Sequence, residues 1–529
     1  MTAEKQEKPK TFARDSTGLV KNVSILDAVS LNVSSMSAGA ALATIAFTMI
    51  LIPLTLSNFA GINLVYGSII AFVITIPQMI VYTIMTRRLP RTGGDYVWVS
   101  RTFGGFIGST ASFMGYTMET MAFLALIVIS AVLAIGTVLV TYVPSSTEYL
   151  ALSLPGNTPN PPVPPDVTGQ FILGAVIFGL LILLNIVKPK YGYKLVSASM
   201  IIGIVALVAA NLVLLSAGNS GVVTYVNSLQ SFTGTNYTSV VSSAPSTAFS
   251  LQNTVFMMPF FAMFVYPWFV AAPAVASELK GKRATNWNVP IAAVTSLVLV
   301  TGSFATMYYV GGQAFINGAF LNSPGLVYNA VFNFWTLAMG VSPNAYLGMF
   351  IGFGWIVWNI GILAYGIIGI SRYIFAQAFD RFLPEKMSYI SPRFGSPVIA
   401  HVVDLVVTIV LVGLASFYYG TLSSLYGAIM ASMIYFIIVG LAAATYAYRN
   451  EKGGIKSVLM IAGILSAAVF VFLTYQFLAY PGVWGGNNLA YGFIAVSVII
   501  GAVIFQASKA YHKQRGIDIT LAYKEIPPD

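Results

Sequence analysis

The sequence predicts an all-α polytopic membrane protein of about twelve transmembrane helices. Three observations support this fold class: the composition, the length of the apolar runs and the placement of the positive charges. Hydrophobic residues make up 57% of the 529 residues and charged residues only 8%, and the mean hydropathy is +0.81. Soluble domains carry about 25% charged residues. Because this chain has too few charges to cover a water-facing surface, we expect a lipid bilayer to surround most of it.

The apolar runs define the predicted spans, since each is long enough to cross roughly 30 Å of hydrocarbon. They lie at residues 25–52, 60–85, 103–143, 168–187, 192–217, 252–278, 289–312, 344–371, 397–418, 421–447, 455–478 and 488–508. The third run is too long for one straight crossing, so we expect it to tilt or to protrude from the bilayer.

The positive charges indicate how the spans are oriented. All 26 lysines and arginines precede span 1, follow span 12 or lie in the connections after spans 2, 4, 6, 8 and 10. The positive-inside rule places these connections and both termini in the cytoplasm, as in a multi-pass protein of the plasma membrane. A net charge of +10 would also suit a nucleic-acid-binding protein. However, short basic clusters between apolar runs are typical of membrane topology, so we expect no nucleic-acid partner.

The connections on the opposite side are polar but almost free of charge. Glu148 and Asp166 are the two charged residues there, and Asn236 begins an Asn-Tyr-Thr sequon whose glycosylation the sequence leaves open. The segment 155–165 is rich in proline and is predicted to be extended. The connections themselves are 144–167, 218–251, 313–343 and 479–487.

Ionisable residues inside the spans are candidates for function, because each costs roughly 2.5–3.5 kcal/mol to insert. Glu119 lies well inside span 3, and either a functional role or a buried, hydrogen-bonded one fits it. Asp404 lies about two turns into span 9, one turn after His401, and we expect these two residues to pair with each other. Asp27 stands at the start of span 1, where a helix cap is the expected role.

Two spans contain stretches that weaken a helix. Residues 32–39 of span 1 combine Asn, Ser and Gly, and residues 264–273 of span 6 contain Pro267 and Pro273. Non-helical backbone at membrane depth is tolerated only where it faces protein or a watery cavity. Breaks placed five spans apart are typical of transporters built from inverted repeats, with the binding site where the breaks meet. The alternative is an ordinary proline kink together with a packing face of small residues.

Four segments resemble conserved parts of the amino acid–polyamine–organocation (APC) superfamily of transporters. Residues 89–98 (LPRTGGDYVW) are similar to the family's segment between helices 2 and 3. Residues 264–283 are similar to its helix 6, which ends in an acidic residue and a basic turn. Residues 371–384, followed by 393–397, are similar to the end of its helix 8 and the next loop, and this match is the most specific.

The resemblance implies a LeuT-like five-plus-five inverted repeat with broken helices 1 and 6 and two extra helices. In this organisation the predicted segments are a cytoplasmic tail at 1–24, repeats at 25–217 and 252–447, helices 11 and 12 at 455–508 and a second cytoplasmic tail at 509–529.

The resemblance also implies secondary active transport of amino acids or related amines by alternating access, and we expect coupling to protons, with Glu119 as the proton-coupling candidate. In the family, broken helix 1 binds the substrate carboxylate and broken helix 6 receives the amino group. A helix N-terminus and aromatic rings suit these two tasks. The residues implied to bind substrate are Ser34, Ser35, Met36, Ser37, Ala38, Gly39, Glu119, Phe264, Tyr266, Pro267, Trp268 and Trp355.

Other functions fit the sequence less well. An exchanger or uniporter of the same fold is the main alternative, followed by a solute sensor that does not transport. The chain has no HExxH motif, no GxSxG motif with a usable histidine and no nucleotide loop, so we expect no enzyme. It has no cysteine, and we expect no cofactor or metal. Sodium as the coupling ion, the solute, the transport direction and a monomeric or homodimeric state stay open.

Overall fold

The computed structural model describes residues 19, 21–43, 59–156, 163–322, 332–418 and 421–527. Within these ranges the chain is helical, and its β pairing is confined to two isolated bridges. Eleven helices of the described residues are long and apolar enough to cross a membrane. Numbered as predicted, they are spans 1 (Ile25–Ala43), 2 (Leu64–Arg88), 3 (Gly105–Tyr142), 4 (Val167–Val187), 5 (Pro189–Ser228), 7 (Gly281–Gly311), 8 (Ala345–Phe379), 9 (Val398–Phe417), 10 (Ser424–Asn450), 11 (Gly453–Ala479) and 12 (Asn488–Lys513). The prediction of an all-α polytopic membrane protein is confirmed.

Span 6 is the remaining predicted crossing, and it is not one continuous helix. It consists of the helices Leu251–Phe256, Met258–Phe264 and Ala271–Ala274, followed by a 3-10 turn at Ala276–Glu278. Proline has no backbone N–H, so Pro267 and Pro273 cannot continue the hydrogen-bond ladder. This span is therefore divided where its prolines predict.

Several spans differ from their predictions in shape or extent. Span 3 keeps its predicted extent and is a single crossing, but its hydrogen bonding widens to a π-helix over Phe113–Met118. Span 5 continues past residue 217 to Ser228 and kinks at Gly218, whose φ of 61° suits glycine. Span 7 begins at Gly281, eight residues before the predicted residue 289, and span 8 runs to Phe379, eight residues beyond the predicted residue 371. In spans 5, 7 and 8 the helix extends beyond the apolar run, because hydropathy marks the bilayer rather than the end of a helix.

The connections predicted to be loops on the uncharged side include short helices. They are Thr147–Ser153, Tyr237–Ser242, Gln313–Asn322 and Phe334–Gly340. Asn236 caps the second of them, its side chain accepting a hydrogen bond from Ser239 N at 2.8 Å. Most of the proline-rich segment, residues 157–162, lies outside the described residues.

Spans 1, 3 and 10 are mostly buried and form the centre of the bundle, whereas spans 4, 9 and 12 expose most of their length. Leu180, Val406 and Ile499 are among the exposed apolar side chains of these outer spans. In a bilayer such side chains face lipid rather than water. The centre therefore consists of the spans that carry the predicted breaks and Glu119, together with their neighbours.

The connections rich in Lys and Arg meet at one end of the bundle, which we call the cation-rich face. Arg88 after span 2 pairs with Glu451 after span 10 at 2.8 Å. Residues 516–527, here called the C-terminal segment, fold back onto the same face. Its Tyr523 hydroxyl lies 3.0 Å from Ser109 Oγ at the start of span 3, and Arg91 Nε donates to its Pro527 carbonyl at 2.6 Å.

The two ionisable sites expected to have structural roles differ in outcome. Asp27 and Ser24 form a capping box at the start of span 1, as predicted, and Asp27 also accepts a hydrogen bond from Ser197 Oγ at 2.7 Å. The predicted His401–Asp404 pair is wrong. Thr408, one turn further along span 9, donates to Asp404 Oδ1 at 3.0 Å, and within the described ranges neither Asp404 Oδ2 nor His401 Nδ1 has a hydrogen-bond partner.

Candidate functional site

Span 1 breaks at its centre, inside the predicted stretch. The first helix runs from Ile25 to Ser35, Met36 caps it, and Ser37 has a φ of 52° before the helix resumes at residue 38. Ser37 N donates to Ser34 O at 3.0 Å, which closes the last turn. The six predicted residues from Ser34 to Gly39 are all buried. The break thus lies inside the protein, as membrane depth requires.

The breaks of spans 1 and 6 meet through one side chain. Asn32, one turn before the break in span 1, accepts a hydrogen bond from Ala272 N at 2.9 Å. Its amide nitrogen donates to Asn288 Oδ1 of span 7, also at 2.9 Å. Both hydrogen bonds are buried, and Asn32 has no exposed surface. The two interruptions, far apart in sequence, are therefore neighbours in the fold.

Spans 5 and 8 approach the break in span 1 closely. A Cβ at Gly361 of span 8 would lie 3.1 Å from Ser199 Cβ and 3.5 Å from Ser34 Oγ. The Ser34 hydroxyl is buried and has no hydrogen-bond partner among the described residues. A buried polar group without a partner costs about 1–3 kcal/mol, so such groups are expected where a ligand or water completes them.

The indole of Trp358 fills the space beside the second half of span 1. A Cβ at Gly39 would collide with this ring, and one at Gly203 of span 5 would lie 2.8 Å from its Nε1. Both positions therefore require glycine. Trp358 Nε1 also has no hydrogen-bond partner within the described part of the chain. The Gly39 carbonyl, in contrast, accepts a hydrogen bond from Trp335 Nε1 at 2.9 Å.

Glu119 stands directly after the π-helix of span 3. Its side chain has no exposed surface, Thr120 Oγ1 lies 3.4 Å from its Oε2, and its Oε1 has no hydrogen-bond partner in the described part of the chain. Ser432 of span 10 is a neighbour of the carboxylate, and its hydroxyl donates to Gly115 O at 2.7 Å. A π-helix leaves some helix carbonyls without a well-placed N–H donor. The hydrogen bond from Ser432 gives Gly115 O a donor and so stabilises the π-helix.

Tyr365 of span 8 connects Glu119 with the break in span 1. Its hydroxyl lies close to the Ser35 hydroxyl and near enough to the Glu119 carboxylate for the two to act on each other electrostatically. Tyr116, one turn before Glu119, is within the same electrostatic reach of Glu119 and Tyr365. Three spans therefore bring polar side chains together at this point, and the carboxylate is within the same group as the span 1 break.

Aromatic rings pack against span 3 one turn after Glu119. Trp268, in the break of span 6, stacks on Phe123 with ring centroids 5.8 Å apart, and Phe123 lies one turn after Glu119. Trp268 also contacts Phe436 of span 10 edge-on at 5.8 Å. Its Nε1 donates to Ala262 O at 3.1 Å. Trp268 is therefore placed between the two spans that hold Glu119 and Ser432.

Three other predicted residues of span 6 contact different parts of the protein. The Tyr266 hydroxyl lies 2.6 Å from Ser68 Oγ, and the Pro267 carbonyl accepts from Gln78 Nε2 at 3.0 Å, so both are bonded to span 2. Phe264 packs edge-on against Tyr426 at 5.5 Å. The structure thus brings Trp268, rather than these three, against span 3 one turn after Glu119.

Trp355 of span 8 is fully buried, and its Nε1 has no hydrogen-bond partner among the described residues. Trp358 and Tyr365 lie on the same span, three and ten residues further along, which is the spacing of one helix face. The sequence prediction named Trp355 and missed Trp358 and Tyr365, although their spacing from Trp355 can be read from the sequence. Ser432 carried no sequence signal.

Among the residues that the structure describes, no group of three or more His, Cys, Asp and Glu residues could hold a metal ion. The polar groups of the site are hydroxyls, indole N–H groups, backbone amides and one carboxylate. This set can hold a small zwitterion or amine, since it offers donors at the span 1 break and an acceptor at Glu119.

The sequence profile of the family described as amino acid permease matches residues 23–505. The match includes both broken spans and every residue of the site. The chain therefore belongs to this family, which is part of the APC superfamily, and the predicted resemblance is confirmed. Among curated proteins, none matches the sequence significantly.

Proposed function

We propose that this amino acid permease is a proton-coupled transporter of amino acids or related amines that works by alternating access. Family membership makes it a membrane transporter, and the proposal adds its substrate class, coupling and mechanism. The observation that carries it is the junction of the two breaks through Asn32 and Ala272, with the unpartnered carboxylate oxygen of Glu119 in the adjoining polar group.

The break in span 1 suits a substrate carboxylate. The first backbone N–H groups of a helix have no partner within it, and the helix dipole makes this end positive. Ala38 and Gly39 are the first residues of the second helix of span 1, and the free Ser34 hydroxyl lies beside them. These groups are the proposed carboxylate donors, and Ser35, Met36 and Ser37 shape the break.

Glu119 is the proposed site for a proton or a substrate ammonium group. The neighbours of its carboxylate are Thr120, Ser432, Tyr116 and Tyr365, none of which carries a positive charge at neutral pH. An ionised carboxylate without a positive partner is costly inside a membrane. Its charge is therefore balanced by a bound proton or cation, and Trp268 provides an aromatic face for the latter.

The remaining parts of the proposal concern architecture and orientation. Spans 1–5 and 6–10 form two inverted repeats, in which spans 1 and 6 cross in opposite senses. The protein lies in the plasma membrane. Its cation-rich face points to the cytoplasm, because Lys and Arg are retained on that side. The other predicted contacts, at Phe264, Tyr266, Pro267 and Trp355, belong to the surrounding shell and close on substrate when the bundle rearranges.

The test is uptake into proteoliposomes of radiolabelled standard amino acids and polyamines, with and without an inward proton gradient. We expect the gradient to drive accumulation of at least one of them. Glu119→Gln abolishes accumulation, because the amide cannot take up a proton or neutralise an ammonium group. Glu148→Gln is the matched control, since it removes a carboxylate from a connection on the side opposite the cation-rich face. We expect it to leave accumulation unchanged.

If uptake responds to neither a proton nor a sodium gradient, the protein is an exchanger or uniporter rather than a coupled transporter. Wild-type accumulation by Glu119→Gln would remove this residue from the site. Thermal unfolding of both variants checks that they fold.

A further inference from the structure

Asp404 is a second carboxylate inside the bundle, separate from the group around Glu119. It lies six residues after Val398, the first residue of span 9, which is roughly 9 Å along the helix. It has no exposed surface. Thr408 Oγ1 donates to its Oδ1 at 3.0 Å, and its Oδ2 has no hydrogen-bond partner among the residues that the structure describes.

No positively charged side chain among the described residues pairs with Asp404. Span 9 packs against spans 3, 4 and 8, the 3-10 turn Glu385–Ser388 and the helix Thr421–Ala428. Span 4 contains no titratable residue. The titratable or charged residues of the other elements are Tyr116, Glu119 and Tyr142 on span 3, Tyr346, Tyr365, Arg372 and Tyr373 on span 8, Glu385 and Lys386 in the turn, and Tyr426. None of them forms a recorded ion pair or hydrogen bond with Asp404.

His401 lies between Asp404 and the cation-rich face. It is one turn nearer the start of span 9, is only 1% exposed, and its Nδ1 has no hydrogen-bond partner among the described residues. Residues three apart on a helix share one side of it, with Cβ atoms about 5–6 Å apart. Arg372 of span 8 is near enough to act electrostatically on His401. The histidine is therefore near both the buried carboxylate and that arginine.

Arg372 belongs to a buried ion pair that closes this end of the bundle. Its Nε and Nη2 donate to the two carboxylate oxygens of Glu278 at 2.8 and 3.0 Å, and Nη2 lies 3.3 Å from the Tyr193 hydroxyl. Glu278 ends span 6, so the pair joins span 6 to span 8. With the pair closed, His401 has almost no exposed surface, and Arg372 is near enough to act on it electrostatically.

We propose that Asp404 is a second proton-binding site, and that its proton is exchanged with the cation-rich side through His401 when the Glu278–Arg372 pair opens. The carboxyl group is neutral in the closed bundle, because one hydroxyl donor does not offset an unpaired charge at this depth. When the pair opens, the Oδ2 proton passes to an imidazole nitrogen of His401, the other imidazole nitrogen releases a proton to water, and Asp404 becomes a carboxylate. The role of this site in coupling rests on the proposed function, whereas proton binding itself does not.

Infrared spectroscopy of the protein in proteoliposomes tests this proposal without a substrate. A protonated carboxyl group has a C=O stretch that shifts when its proton is replaced by deuterium. We expect one such band to disappear in Asp404→Asn and to persist in Glu119→Gln. In wild-type protein transferred to D₂O this band shifts, and in His401→Phe the shift slows by roughly 100-fold, the usual contribution of a positioned proton-transfer group.

Thr408→Val is the matched control, because it keeps Asp404 and removes only its hydroxyl donor. Its band changes frequency but still exchanges, which confirms the assignment even if Asp404→Asn fails to fold. A band that never shifts in D₂O, or that exchanges at the wild-type rate in His401→Phe, would overturn the proposal. If amino acid uptake does not respond to the proton gradient but the Asp404 proton still exchanges through His401, coupled transport is refuted and the proton-binding site at Asp404 is retained.

Discussion

The two ends of the helix bundle are held together by different chemistry. At the cation-rich face, buried charges make the contacts: Glu278 with Arg372 at 2.8 Å, and Arg101 with Asp380. Between the centre and the opposite end, the contacts of the described residues are neutral. Trp335, on the helix Phe334–Gly340 of that side, donates to Gly39 O at 2.9 Å, and Asn317 Nδ2 donates to Ile62 O at 3.0 Å.

This difference predicts how the two ends open. Separating a buried ion pair leaves two charges without partners, whereas separating a neutral hydrogen bond costs about 0.5–1.5 kcal/mol. We therefore expect the neutral end to open in small steps and the charged end to open as a unit. Alternating access requires the two ends to open at different times, and unequal chemistry gives each end its own barrier.

The largest effect is expected at the buried ion pair. Glu278→Gln leaves Arg372 buried without a negative partner, which lowers the free energy of unfolding by roughly 3–5 kcal/mol. The double variant Glu278→Gln with Arg372→Met recovers most of this loss, because both charges are gone. Denaturant titration of the purified variants measures both values. A single variant as stable as the wild type would show that the charged end is not held by this pair.

A smaller effect is expected at the neutral end. Trp335→Phe keeps the aromatic packing and removes the hydrogen bond to Gly39 O, so the free energy of unfolding falls by about 0.5–1.5 kcal/mol. Trp287→Phe is the control, because Trp287 is 55% exposed on span 7. The same titration compares the two. A loss as large as that in Glu278→Gln would remove the contrast between the ends.

The smallest effect is expected where one partner of the ion pair is exposed. Arg88 pairs with Glu451 at 2.8 Å, but its side chain is 41% exposed. Glu451→Gln therefore lowers the free energy of unfolding by about 0–1 kcal/mol, and added salt reduces the difference further. If this variant were as damaging as Glu278→Gln, burial would not be what distinguishes the charged contacts.

The sequence predicted the spans and both breaks, because these depend on local properties. Hydropathy marks the spans, and Pro267 and Pro273 remove backbone donors whatever surrounds them. The exact position of the break in span 1 was harder to predict, since several residues of 32–39 weaken a helix and only Ser37 takes a positive φ there. The π-helix before Glu119 had no recognisable signal.

The neighbours within the site depend on tertiary packing and could not be predicted. Tyr365 lies beside Ser35 and Glu119 because spans 1, 3 and 8 converge. Trp358 fits only because Gly39 and Gly203 leave room on two other spans. The His401–Asp404 pair failed for a local reason: Thr408 also lies one turn from Asp404 and takes the hydrogen bond.

The C-terminal segment has a consequence for the order in which the protein is made. Tyr523 and Pro527 contact Ser109 and Arg91, which are synthesised more than 400 residues earlier. These contacts can form only after the ribosome has produced span 12, so the cation-rich face is completed late in biogenesis. Until then, Arg91 and the start of span 3 are accessible to chaperones, to lipid headgroups and to the insertion machinery. Contacts between segments so distant in sequence also form slowly.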